Sequence, residues 1–181
     1  MEIQALLIKI AGILGKLKID YAVSGGIAVS VWGRPRATFD IDILIKLREP
    51  DMRALIEEIK KFDKAGYIDE NIATQTFEGQ GEFNFIHSET QLKVDFWIIG
   101  NDPSSLNELK RKVVKKIDGQ NVNFVSAEDL ILSKLRWYKE SGSTRHIEDA
   151  TSILKISGDK LDMNYLEEWA AKQGTSEIIK F

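Results

Sequence analysis

The sequence predicts an α/β (α+β) protein: a mixed sheet with flanking helices, followed by a C-terminal helical segment. Three observations carry this expectation. Runs rich in β-branched residues occur at "YAVS", "FDIDILIKL" and "LKVDFWII", stretches of helical periodicity surround them, and beyond Val125 every segment reads as helix. Composition bounds the class. The 181 residues include 43% apolar and 29% charged residues, no Cys and a formal net charge of −3, which excludes disordered, collagenous and disulfide-stapled chains. A chain of this length buries roughly 70% of the surface its unfolded form exposes, enough for one core with a small appended lobe. With 25 Lys and Arg against 28 Asp and Glu, no global field attracts a polyanion, so contact with nucleic acid would need a local patch.

The elements follow in order. Ile3, Leu6, Leu7, Ile10, Ile13, Leu14 and Leu17 recur at three- and four-residue spacing, so the first eighteen residues form an amphipathic helix that Asp20 ends. This start has signal-peptide character, but Glu2 sits where positive charge belongs and Lys9 interrupts the apolar run, and no run approaches the roughly 20 apolar residues of a membrane span. The absence of Cys fits a reducing compartment. A soluble, cytoplasmic protein without a membrane partner is expected. "YAVSGG" then reads as a strand entering a glycine turn, and "IAVSVWG" as a helix closed by Gly33 and Pro35. "FDIDILIKL" is the strongest strand, with Ile41, Ile43 and Ile45 alternating with Asp40, Asp42 and Leu44. After Pro50 a helix runs through "DMRALIEEIKKF" with Asp51 as its cap, and Lys64 to Gly81 shows no clear period. "EFNFIH" and "LKVDFWII" form an antiparallel pair around "SETQ"; a helix runs from Pro103 to about Lys110; "VVKKID" and "VNFV" flank a hairpin turn at "GQN". Ser126 caps the first of three helices, Ala127 to Glu140, Thr144 to Ile156 and Met163 to Lys172. A core over residues 1–125 and a helical lobe over 126–181 are therefore expected.

Alternation puts Asp40 and Asp42 on one face of their strand. Two neighbouring carboxylates in a half-buried sheet either raise a pKa or recruit a cation, and an oxygen-only donor set suits Mg²⁺. Asp95, between Val94 and Phe96 in an apolar run, is a third candidate ligand and needs a cationic partner, because an unpaired charge there would cost several kcal/mol. The plain alternative for Asp40 and Asp42 is a solvated strand face. Gly25 and Gly26 stand between a strand and a helix, where missing Cβ atoms let a phosphate approach the helix N-terminus; their plain alternative is a tight turn. On a helical wheel Leu130, Ile131, Trp137 and Tyr138 lie within about 60° of Lys134, so its ammonium emerges from an apolar face and either snorkels to water or meets an anion.

The order of glycine pair, D-x-D strand and later carboxylate resembles the nucleotidyltransferase superfamily with a DNA polymerase β-like core. Gly25-Gly26, Asp40-Ile41-Asp42 and Asp95 match its elements. The stretch "AVSGGIAVSVWGRPRATFDIDILI" is similar to minimal and abortive-infection-type (AbiEii-type) members, with Arg36 and Thr38 in the place of an Arg-x-Thr that precedes the acidic pair. Lys134, Arg145 and Asp149 match a further set in the tail. For Arg145 and Asp149, however, i,i+4 spacing supplies a plain intrahelical ion pair, and His146 is expected at a helix start without special duty.

The resemblance implies transfer of a nucleoside monophosphate from an NTP such as ATP to an acceptor hydroxyl. Asp40, Asp42 and Asp95 would be catalytic and hold two Mg²⁺ ions, with Asp95 also the candidate base. Ser24, Gly25, Gly26, Arg36, Thr38 and Lys134 would bind the nucleotide. Gly26 replaces a Ser common in the family. The acceptor could be RNA, a protein or a small molecule. Rivals are a catalytically silent binding protein or toxin–antitoxin component, working with a protein partner or a second copy, and a metal-dependent nuclease, which has no use for the glycine turn. The run "LKRKVVKK", with Lys110, Arg111, Lys112, Lys115 and Lys116, reads as a solvated face or edge protection, with contact to a nucleic-acid backbone as the rival. Trp97, Trp137 and Trp169 read as core, and Trp32, close to the glycine turn, as either core or site.

Overall fold

A computed structural model describes residues 2–79 and 81–178; Met1, Gln80 and residues 179–181, the edges of three expected segments, lie outside the described residues. The first helix, α1 (Ile3–Lys16), places Leu6, Leu7, Ile10 and Leu14 in the core. It stops because Lys18 turns left-handed at φ 56°. Asp20 therefore opens strand β1 (Asp20–Val23) and is not the helix terminator expected from the sequence.

The chain continues through α2 (Gly25–Trp32), β2 (Asp40–Lys46), α3 (Glu49–Phe62), β3 (Tyr67–Ile68), α4 (Glu70–Gly79), β4 (Glu82–Ile86), β5 (Lys93–Ile98), α5 (Pro103–Lys110), β6 (Val113–Ile117) and β7 (Gln120–Phe124). Helices α6 (Ala127–Ser141), α7 (Thr144–Ser157) and α8 (Met163–Gln173) complete it, with one 3₁₀ turn at Gly158–Lys160. The seven strands form one mixed sheet in the order β3-β4-β5-β2-β1-β7-β6. The expected fold class holds. Pairs β2–β5 and β1–β7 are parallel and the remaining neighbours antiparallel.

Three expectations shift in detail. Asp51 caps α3 from inside the first turn, its carboxylate accepting the Arg48 amide at 2.9 Å while Arg48 is the N-cap residue. The hairpin between β6 and β7 turns at Asp118-Gly119, both with positive φ (46° and 81°), so Gln120 and Asn121 belong to the strand. The unreadable stretch holds β3 and α4.

Two faces of β2 meet different environments. Ile41, Ile43 and Ile45 are fully buried in a core shared with α1, Leu55 and Ile59 of α3, and Val94 and Phe96 of β5. Asp40, Asp42 and Leu44 are half-buried on the opposite face and share a cleft with residues of α6 and α7. Ser126 does cap α6, accepting the Asp129 amide at 3.1 Å. Trp32 belongs to the framework: its indole donates to the Val125 carbonyl at 2.9 Å, and its carbonyl accepts the Ser157 hydroxyl at 2.6 Å. No helix among the described residues is long and apolar enough to cross a membrane.

Candidate active site

The half-buried face of β2 forms the floor of a cleft of about 760 Å³, within the usual range for small-molecule sites. Parallel pairing aligns Asp42 with Asp95 and Asp40 with Lys93, and aligned residues of neighbouring strands project to the same side. All three carboxylates therefore share a face. Asp40 and Asp42 line the cleft, while Asp95 is buried beside Asp42.

Crowding sets the electrostatics. Burial, then Asp40, then Asp95 push the Asp42 carboxyl above its ordinary range, with Lys134 and the Trp97 indole only partly compensating. Lys93 holds one oxygen of Asp95 at 2.7 Å, the cationic partner the sequence called for. The other oxygen, Oδ1, is buried without a hydrogen-bond partner. Thr38 donates to Asp40 at 2.5 Å. Among the described residues no group of three or more His, Asp or Glu side chains is gathered tightly enough to cage a metal.

The turn from β1 into α2 sits against this floor. Gly25 has φ +60°, and a Cβ there would fall 1.7 Å from Asp42 Oδ2. At Gly26 a Cβ would come within 2.6 Å of Thr38 Oγ1, a physical reason for glycine here. Ser24 anchors the turn through its amide, which donates to the Asp42 carbonyl at 2.8 Å, while its hydroxyl makes no capping bond. The first helical amide bond of α2 comes from Ala28, which leaves the amides of Gly25, Gly26 and Ile27 without helical partners.

Lys134 is buried on α6, and its ammonium meets Asp149 at 3.0 Å. Asp149 also receives the Arg36 fork, Nε at 2.8 Å and the second nitrogen at 2.9 Å. Burial alone would raise the Asp149 carboxyl, but Arg36 and Lys134 outweigh it and hold it below the usual range. The intrahelical Arg145–Asp149 pair expected from i,i+4 spacing does not form, because two cations from α6 and the α2–β2 loop occupy Asp149 while Arg145 stays exposed at the cleft rim. His146 stands at the start of α7 as expected, and there it also lines the cleft and stacks on Trp137 with centroids 6.3 Å apart.

Two further features escaped the sequence. Glu82 on β4 is a fourth carboxyl beside the site, raised by burial and then by Asp95; its place follows from the β4–β5 pairing of Glu82 with Trp97 and Asn84 with Asp95. Trp97 and Trp137 line the cleft instead of filling the core, and Trp137 is 39% exposed. The basic run is largely engaged: Arg111 pairs with Asp129 and Glu128, Lys112 with Asp20, and Lys115 lies 4.2 Å over the Trp32 ring. The run leads into edge strand β6, which carries Lys115 and Lys116.

The family model described as "Nucleotidyl transferase AbiEii toxin, Type IV TA system" matches residues 13–178. The chain belongs to this family. Its fold is shared with solved structures at low identity. The antibiotic-resistance factor ANT(2'')-Ia is 16% identical, with 97% of this chain and 92% of that chain covered and a TM-score of 0.62. An antigenic nucleotidyltransferase-like protein from Paracoccidioides brasiliensis is 18% identical over 97% and 90%, with a TM-score of 0.60. The lincosamide antibiotic adenylyltransferase LnuA, solved with lincomycin bound, is 15% identical over 86% of this chain and 98% of its own, with a TM-score of 0.56. No curated protein sequence matches the chain. For this nucleotidyltransferase-family member the glycine turn, acidic floor and buried lysine occupy one cleft.

Proposed function

We propose that the chain transfers a nucleoside monophosphate from an NTP to an acceptor hydroxyl, with Mg²⁺ as cofactor and pyrophosphate as leaving group. The observation that carries this reading is the β2–β5 register, which aligns Asp42 with Asp95 beside Asp40 and against the glycine turn. The donor set suits a hard cation: it is all oxygen, one buried carboxylate oxygen lacks a partner, and Asp42 is crowded by like charge. Asp40, Asp42 and Asp95 form no closed cage by themselves, so they would hold the metal together with water and phosphate oxygens of the bound nucleotide. Mg²⁺ bound there would neutralise phosphate charge and ease ionisation of the attacking hydroxyl.

The chain's own groups do the rest. The free amides at the start of α2 donate to the β and γ phosphates, with the Ser24 hydroxyl beside them. Lys134 keeps donors for the triphosphate beyond its bond to Asp149, and Arg36 and Thr38 line the same cleft while positioning Asp149 and Asp40. The acceptor oxygen attacks the α phosphorus, the bond to the β-phosphate oxygen breaks, and the hydroxyl proton passes to Asp95. The family description favours a toxin role for this transfer, with an antitoxin as counterpart.

The test is incubation of the full chain with each α-labelled NTP, Mg²⁺ and a bacterial lysate. Label should enter an acceptor fraction, only with Mg²⁺, and Asp42→Asn should abolish transfer while circular dichroism stays unchanged. An Asp42→Asn chain that labels as well as wild type overturns the reading. Nucleic-acid degradation in Mg²⁺ without NTP would favour a nuclease instead.

A further inference from the structure

The cleft is graded from charged to aromatic along both of its walls. On the sheet wall, parallel strands run from the paired Asp42 and Asp95 to the paired Leu44 and Trp97 two residues on, a step of about 6.6 Å. On the helical wall, Lys134 and Trp137 lie three residues apart on one face of α6, and both line the cleft. The walls are in phase. Lys134 acts electrostatically on Asp42 at one end, and the Trp97 and Trp137 rings meet edge to face at 5.8 Å and 65° at the other.

Trp137 is 39% exposed and lines the cleft although it lies within one helical turn of buried Lys134, meets Trp97 edge to face and carries His146 stacked at 6.3 Å. A large aromatic left open inside a polar cleft is a stacking surface for a flat ring. We propose that the Trp97–Trp137 end of the cleft seats the nucleobase of the donor nucleotide, with Trp137 as the stacking face and Trp97 and Leu44 as its apolar backing. This rests on the transferase reading, which places the triphosphate at the charged end. A nucleotide is itself graded from anionic phosphates to an aromatic base, and the span between Lys134 and Trp137 directs the base along the cleft.

The experiment compares binding of ATP, GTP, CTP and UTP with binding of inorganic tripolyphosphate, each with Mg²⁺, to the wild-type full chain, Trp137→Leu and Trp137→Phe. Tripolyphosphate carries the charge without the ring. Wild type should bind at least one NTP more tightly than tripolyphosphate. Trp137→Leu should weaken that NTP roughly five- to hundredfold, the loss expected for one base–aromatic stack, and leave tripolyphosphate affinity unchanged. Trp137→Phe should recover most of the loss, which a purely space-filling role would not require. Retained tripolyphosphate binding shows that the variants are folded. An NTP advantage that survives Trp137→Leu, or wild type binding tripolyphosphate as tightly as every NTP, overturns the nucleobase assignment alone. Wild type binding neither probe overturns the transferase reading with it.

Discussion

Glu108 on α5 is buried against Arg136, whose guanidinium lies 3.3 Å away, yet burial outweighs that partner and lifts the carboxyl to about 7. Because the folded-state pKa lies above the ordinary value of 4.5, the unfolded chain loses this proton first as pH rises. Stability from this group is complete below pH 4.5 and falls away up to about pH 7. Glu108→Gln should flatten that decline in urea-unfolding midpoints measured between pH 5 and 7.5. Residue chemistry was partly legible in the sequence. An ammonium rising from an apolar face needs an anion, and Lys134 has one; the identity of that anion was out of reach, because Asp149 is shared with Arg36 from 113 residues away. The i,i+4 rule pointed to Arg145 since it sees only one helix.

At the scale of elements, the β1–α2 turn governs the site. Gly25 combines a left-handed backbone with Asp42 packed where its Cβ would be. Gly25→Ala should cost about 1–2 kcal/mol from the backbone alone, and displacement of Asp42 should abolish labelled transfer; thermal melts and the label assay check the two effects separately. Elements with strong periodicity were readable: α1, β2, β5 and the three C-terminal helices fall within a few residues of expectation. β3 and α4 were not. β3 has two residues, and among the residues of α4 whose burial is described only Ala73 is buried, so neither imprints an apolar repeat.

Across the whole molecule, the Arg36–Asp149–Lys134 cluster ties α6 and α7 to the loop that leads into β2. Removing the shared anion leaves two cations facing each other in a mostly buried place. Asp149→Ala should therefore cost about 3 kcal/mol in urea unfolding. Its pKa is depressed, so the stability it confers is present above the ordinary carboxylate value of 3.8 and lost as pH falls through the folded-state value. Asp149→Asn should correspondingly shallow the acid limb of the stability profile below pH 4.

By itself the sequence determined the fold class, the glycine turn, the shared face of Asp40 and Asp42, and the family likeness, because local periodicity and short-range spacing encode these directly. Only the tertiary structure decided that Asp95 lies across from Asp42 with Lys93 on one oxygen, that Glu82 joins them, that Arg36 and Lys134 share Asp149, and that Trp97 and Trp137 line the cleft rather than the core. Strand order and helix docking fix those relations, and both arise from contacts between residues far apart in the chain, which no local pattern records.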